Sequence, residues 1–213
     1  MSQITILGST GQIGKAILRE ALDAGYTVKV LVRTPDKLGD LRDFVKIVQG
    51  DLLDTVALEK ALEGSIAVIN AAGGVKEPDQ YQKFHKIGIL LTEKMSKTGV
   101  RRLVSLSGAV VAMPGEELNE ERNFLKQYVT LHYKEMLDAQ EAYLPAILSA
   151  DSINWTYVRA PMLTHENKCC EVLADDKRMP GTKIILKELA RFLVQQVNEL
   201  QWVGKAPFVA SSF

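Results

Sequence analysis

The chain is poor in the residues that staple, anchor or attract by charge. Only two cysteines occur among its 213 residues. They are Cys169 and Cys170, adjacent to each other, and neither a second pair nor a histidine cluster stands at a zinc-ligand spacing, so no metal site is expected and the two read as reduced side chains. Net charge is missing as well: 26 Lys and Arg balance 26 Asp and Glu, which leaves no basic excess to draw the chain to a nucleic-acid backbone or an anionic membrane. No window approaches the roughly 18 consecutive apolar residues of a spanning helix. The first apolar run opens at Ile4, leaving no room for a leader's charged and apolar regions. A cytoplasmic protein with no nucleic-acid and no membrane partner is the expectation.

What is present is a core. With 46% hydrophobic residues, the chain is long enough to build one large α/β domain. Short β-branched runs alternate with helical periodicity, the pattern of a doubly wound parallel sheet with helices on both faces. The strands are expected at Gln3–Leu7, Thr27–Val32, Val45–Gln49, Ala67–Asn70, Leu103–Leu106, Trp155–Arg159 and Pro207–Ala210. The helices are expected at Gly11–Ala24, Thr55–Leu62, Tyr81–Thr98, Phe124–Ser149 and Lys187–Leu200. Gly25, Gly64 and Gly99 stand where a helix ends in a left-handed residue. No repeat or low-complexity stretch interrupts the order.

The sharpest motif follows the first strand. Gly8, Ser9, Thr10, Gly11, Gln12, Ile13 and Gly14 form the glycine-rich turn that brings backbone N–H groups, and the positive end of the next helix, up to a dinucleotide pyrophosphate. The βαβ context from Ile4 to Val32 is the one this motif requires. An NAD-selective site places an acidic residue at the tip of the second strand, about 20 positions on. Arg33 is there instead, with Thr34 and Lys37 as further donors, and a guanidinium grips a phosphate bidentately. NADPH is therefore expected over NADH; Asp36, past Pro35, is the weaker competitor for a ribose contact.

These residues resemble the atypical short-chain dehydrogenase/reductase group, with its Rossmann fold, and within it the NmrA-like and flavin or biliverdin reductase-like proteins. Gly8-x-x-Gly11-x-x-Gly14 is that group's spacing. Gly50-Asp51-Leu52 and Asn70-Ala71-Ala72-Gly73 look like its third and fourth strand endings, and Leu103 to Ser107 and Trp155 to Pro161 are similar to its fifth and sixth strands. The resemblance implies that Asp51 and Leu52 lie by the adenine, and Ala71, Ala72 and Gly73 by the nicotinamide-side ribose. Asp51 equally suits a turn or helix cap, and the small residues at 71–73 equally suit close packing.

Short-chain reductases pair a tyrosine with a lysine four residues later on one helix face, and add a serine at the end of the fifth strand. Ser107 and Lys134 match the serine and the lysine, a place that implies a contact of Lys134 with the nicotinamide-side ribose, but Thr130 holds the tyrosine's place. Tyr128 and Tyr133 lie at the wrong offsets, and His132 is the remaining titratable candidate on the helix. A missing acid suits a conjugated acceptor, which spreads the incoming charge, better than a simple carbonyl. The expectation is an NADPH-dependent reductase of a small-molecule acceptor such as a flavin or quinone, with the acceptor between Gly108–Gly115, the Lys134 helix and a small substrate-side segment at Pro161–Pro180. The competing reading is an NADP(H)-sensing regulator that acts on a protein partner without turnover. Glu116 to Arg122 reads as a mobile or solvated connection.

Overall fold

Strand β1 (Gln3–Leu7) is flanked by β2 (Thr27–Val32) on one side and β4 (Ala67–Asn70) on the other, all parallel. The computed structural model describes residues 2–73 and 79–213. In order of the chain, α1 (Gln12–Asp23) links β1 to β2; a 3₁₀ segment (Pro35–Phe44) leads to β3 (Lys46–Gln49); α2 (Thr55–Leu62) leads to β4; and α3 (Gln80–Thr98) leads to β5 (Arg102–Gly108). Then come α4 (Glu120–His132), α5 (Lys134–Leu148), β6 (Asn154–Ala160), β7 (Met162–Thr164), β8 (Val172–Asp175), β9 (Lys183–Ile185), α6 (Leu186–Gln195) and β10 (Phe208–Ser211). The eight-stranded sheet runs β3-β2-β1-β4-β5-β6-β10-β8, and β7 and β9 form a separate parallel pair. Among the described strands, only β8 runs against its neighbour, β10.

The expected doubly wound sheet is therefore present, with an antiparallel edge. Its central strands are apolar on both faces because both are covered. One core packs Leu58, Leu62, Phe84, Leu91 and Tyr143 of α2, α3 and α5 against the sheet. The other packs Ile17, Leu18, Leu189 and Leu193 of α1 and α6. The chain reverses its direction of travel between β1 and β4, and at such a switch point the carboxyl ends of the strands splay open into a crevice.

Gly25, Gly64 and Gly99 all take left-handed φ, at 81°, 73° and 76°, and end their helices as expected. At the opposite end of the sheet from the crevice, Arg102 is buried. It donates to the carbonyls of Gln196 and Asn154 and to Thr156 Oγ1, tying the end of α6 to β5 and β6; burial pushes its guanidinium down to about 10.

Two expectations change. The helix over Phe124–Ser149 is two helices, broken at Tyr133 (φ −141°, ψ 35°). No glycine or proline marks the break. It arises because α5 buries Leu137, Ala142, Tyr143 and Ile147 against the core, whereas α4 buries only Arg122, so the two halves must point differently. The connection from Glu116 to Arg122 is exposed at Glu117 and at Asn119 to Glu121, as expected, but its two ends are anchored. Arg122 Nε and Nη2 donate to the carbonyls of Ala109 and Val111, and Glu116 accepts from Arg122 at 2.7 Å and from the buried Arg159 at 2.6 Å. Both guanidiniums also stack over the Phe208 ring, at 4.7 and 3.6 Å.

Candidate dinucleotide site

A cleft of about 380 Å³ opens at the switch point, bordered by Gly8, Thr10, Gly11 and Ile13 at its centre. At two positions of the turn only glycine fits. Gly8 has φ +79°, and a Cβ on Gly14 would stand 2.1 Å from the Gly8 carbonyl oxygen. Those two glycines serve the turn itself. Gly11 is different: a Cβ there would meet nothing closer than 3.5 Å, so the fold alone does not demand glycine, and the bare backbone it leaves faces the cleft. The first turn of α1 has no side-chain cap and no acidic residue. Its orphan N–H groups and positive dipole end are thus offered to an anion. A nicotinamide dinucleotide pyrophosphate fits this cradle. Ser9 is fully buried behind it, and the exposed Gln12 pairs with His165 at 2.9 Å. His165, just past β7, had no motif to announce it.

One arm of the cleft runs along the ends of β2 and β3, past Leu31, Val32, Arg33, Gly50, Asp51 and Leu52. Asp51 Oδ1 accepts from the Leu53 amide at 3.0 Å, closing a local turn, while Oδ2 lies 3.8 Å from Arg33 Nε. The helix cap is instead Asp54, which accepts from the Val56 and Ala57 amides. Asp36 turns away to pair with Arg42. Neither Thr34 nor Lys37 borders the cleft among the described residues.

The other arm passes Ala71, Ala72 and Gly73 at the end of β4, then Lys83, Phe84 and Ile87 of α3, and Leu106 of β5. Ala72 donates to Asn70 Oδ1, and Asn70 Nδ2 donates to Ser105 Oγ; this buried pairing holds the β4 ending in shape. Ser107 is 2% exposed. Its hydroxyl lies behind the lining and faces the Tyr157 phenol. Burial pushes Tyr157 and Tyr143 well up from the ordinary phenol range, opposed by Ser107 at the first and by Asn70 at the second, so both stay protonated.

Helix α5 closes this arm with Met136 and Gln140. They stand four residues apart on one face, the spacing at which a short-chain reductase carries tyrosine and lysine. Lys134 and His132 are elsewhere. Lys134 opens α5 on its exposed side with Nζ 2.8 Å from Asp138 Oδ1, and His132 is exposed at the end of α4, its ring 4.6 Å from that of Tyr128. Neither borders the cleft among the described residues. The break at Tyr133 is the reason: a register counted through one continuous helix cannot find which positions of the second half face inward. The stretch after Ser107 and the segment 161–180 do not border it either; Ala109, Val110 and Val111 are buried, while Met162 lies exposed on β7.

No helix among the described residues is long and apolar enough to cross a membrane, and the described residues hold no cluster of potential metal ligands.

A reductase from Streptomyces griseus subsp. griseus, described as acting on (4-alkanoyl-5-oxo-2,5-dihydrofuran-3-yl)methyl phosphate, is 29% identical over 73% of this chain and 46% of its own length. The chain thus spans less than half the length of that curated relative. Among solved structures, an anaerobillin reductase from Escherichia coli O157:H7 superposes with a TM-score of 0.81 at 12% identity, covering 99% of this chain and 97% of the other. A short-chain dehydrogenase/reductase of Veillonella parvula DSM 2008, solved in complex with NADP, superposes with a TM-score of 0.75 at 14% identity, covering 99% and 94%. These likenesses establish the fold. A family profile described as NAD(P)H-binding matches residues 8–200, and the glycine cradle, the switch-point cleft and that match together make this chain a member of the NAD(P)H-binding family.

Proposed function

We propose that the chain is an NADPH-dependent reductase of a planar, conjugated acceptor such as a flavin or quinone. One observation carries the reading: the cleft joins an anion cradle at its centre to a guanidinium, Arg33, at one arm, and at the other to Lys83 of α3 and the uncharged pair Met136 and Gln140 of α5. When bound, the cofactor supplies a hydride, and the acceptor completes its two-electron reduction with a proton from water.

The residues divide the remaining work. The uncapped turn of α1 holds the pyrophosphate through backbone N–H groups, and Arg33 holds the 2′-phosphate. Ala71, Ala72 and Gly73 let the nicotinamide half approach the β4 backbone. Phe84 and Ile87, 5% and 1% exposed, form a dry wall that excludes water from one side. The two positions that α5 presents carry no titratable group, so α5 contributes orientation rather than proton transfer. This favours an acceptor whose own π-system takes up the charge.

The test is direct. Calorimetry should give a tighter complex with NADPH than with NADH, and NADPH should be consumed in the presence of FMN, FAD, riboflavin or simple quinones. Tight binding with no turnover on any of these would instead favour a cofactor-sensing regulator that acts through a protein partner.

A further inference from the structure

The carboxamide of Gln140 has only one orientation available. The Gly108 N–H can donate but not accept, and it lies 3.0 Å from Gln140 Oε1, so the amide oxygen must face Gly108 and the NH₂ group must face the other way. Gln140 borders the cleft, and among the described residues its Nε2 makes no hydrogen bond, while remaining outside the buried, unpartnered set.

The support beneath it is rigid. The Gln140 backbone carbonyl accepts from the Tyr157 hydroxyl, and its neighbours Ala139 and Leu137 are 0% and 3% exposed. At position 108 the approach is close: a Cβ would stand 3.0 Å from Gln140 Oε1, so a side chain there would push the carboxamide aside by a few tenths of an ångström. One turn earlier on the same face, Met136 is 36% exposed at the mouth of the cleft. A thioether there is an unbranched, polarisable surface suited to the face or edge of an aromatic ring.

We propose that Gln140 and Met136 form an acceptor-recognition pair. Gln140 Nε2 donates a hydrogen bond to a ring carbonyl oxygen of a planar quinone- or isoalloxazine-type acceptor, and Met136 packs against its ring. The inference rests on the reading of the cleft as a reductase site and specifies the chemical class of its substrate: a flat ring system that bears a carbonyl.

The variant Gln140→Glu isolates the donor. A carboxylate still accepts from Gly108, so the supporting contact survives while the NH₂ group is lost. Gln140→Met removes the donor without adding charge, so a loss shared by both variants is not charge repulsion. Calorimetry of menadione binding to the NADP⁺-loaded protein should show about a five- to tenfold weaker complex in both, the scale of one neutral hydrogen bond. NADP⁺ affinity should stay within about twofold of wild type, and Met136→Ala should weaken menadione binding as well. Unchanged menadione affinity in the two Gln140 variants would overturn the pair. So would a loss of NADP⁺ affinity equal to that of menadione, which would assign Gln140 to the cofactor. A wild-type protein that gives no heat with NADP⁺ or NADPH would instead overturn the reductase reading itself.

Discussion

Gly14 lies directly beneath Gly8: a Cβ built on Gly14 would come within 2.1 Å of the Gly8 carbonyl oxygen and 2.7 Å of Ser9 Cα. These are backbone atoms at the centre of the sheet's switch point and cannot rotate aside. Gly14→Ala must therefore push α1 away from the end of β1. Overpacking of this kind costs about 1–3 kcal/mol, and the displaced helix would carry its N–H groups away from the phosphates. The expected outcome is a lower midpoint in thermal unfolding together with loss of measurable NADPH binding. A stable variant that binds normally would show that the turn is not the phosphate cradle.

Arg33 offers a cleaner separation of binding from folding. Its side chain is 59% exposed and its nearest anion, Asp51 Oδ2, is 3.8 Å away, so Arg33→Ala should leave stability within about 0.5 kcal/mol. Charge-assisted hydrogen bonds to a phosphate are worth about 1.5–3 kcal/mol. NADPH affinity should then fall by roughly 10- to 100-fold, with NADH affinity almost unchanged, as titration calorimetry with both cofactors would read. Equal losses for the two would remove the 2′-phosphate role.

Much of this was legible in the residues, for identifiable reasons. The strands at Gln3–Leu7, Thr27–Val32 and Ala67–Asn70 match the structure residue for residue because each is a short, mostly buried run rich in β-branched residues with turn residues beside it. The arm along β2 and β3 follows from chain order alone, since Arg33 and Asp51 sit at strand ends, where parallel strands must open. The arm closed by α5 was hidden. Its α5 contribution depends on a helix break at Tyr133 with no breaker residue, and so the side-chain register after it is set by packing against α3 and β5. Strands β7, β8 and β9 are no longer than β4 but only partly buried, so no fully apolar run marks them. Arg122, in a charged stretch, carries no sequence signal that two backbone carbonyls and Glu116 await it.

That register makes a definite statement about Lys134. Its ammonium is engaged by Asp138 on the exposed side of α5, where the Lys134 side chain is 62% exposed. Lys134→Ala should change stability by no more than about 0.5 kcal/mol. NADPH affinity should stay within a factor of about two, and His132→Ala should behave likewise. Equilibrium titration of both variants decides the point: a tenfold loss on removing Lys134 would mean that it leaves Asp138 to reach the nicotinamide-side ribose.

Glu116 is the group through which pH should act on stability. Burial raises its carboxyl pKa, but the Met113 amide, Arg122 and Arg159 together outweigh burial and hold it below the ordinary carboxylate range. A carboxyl depressed in the folded state binds its proton more readily when unfolded, where its pKa is about 4.3. Its contribution is therefore complete above that value and is lost as pH falls through the lower folded value. Glu116→Gln removes the charge that Arg159, 1% exposed in its side chain, and Arg122, 6% exposed, both use. Leaving buried cations without their anion costs about 3–5 kcal/mol. Urea unfolding at pH 7 should show a deficit of that order in the variant. At pH 3 the gap should narrow, because below about 4.3 the unfolded wild-type chain takes up a proton that the folded state resists. A deficit independent of pH would mean that the side chain's shape, rather than its charge, joins the 109–122 segment to β6 and β10.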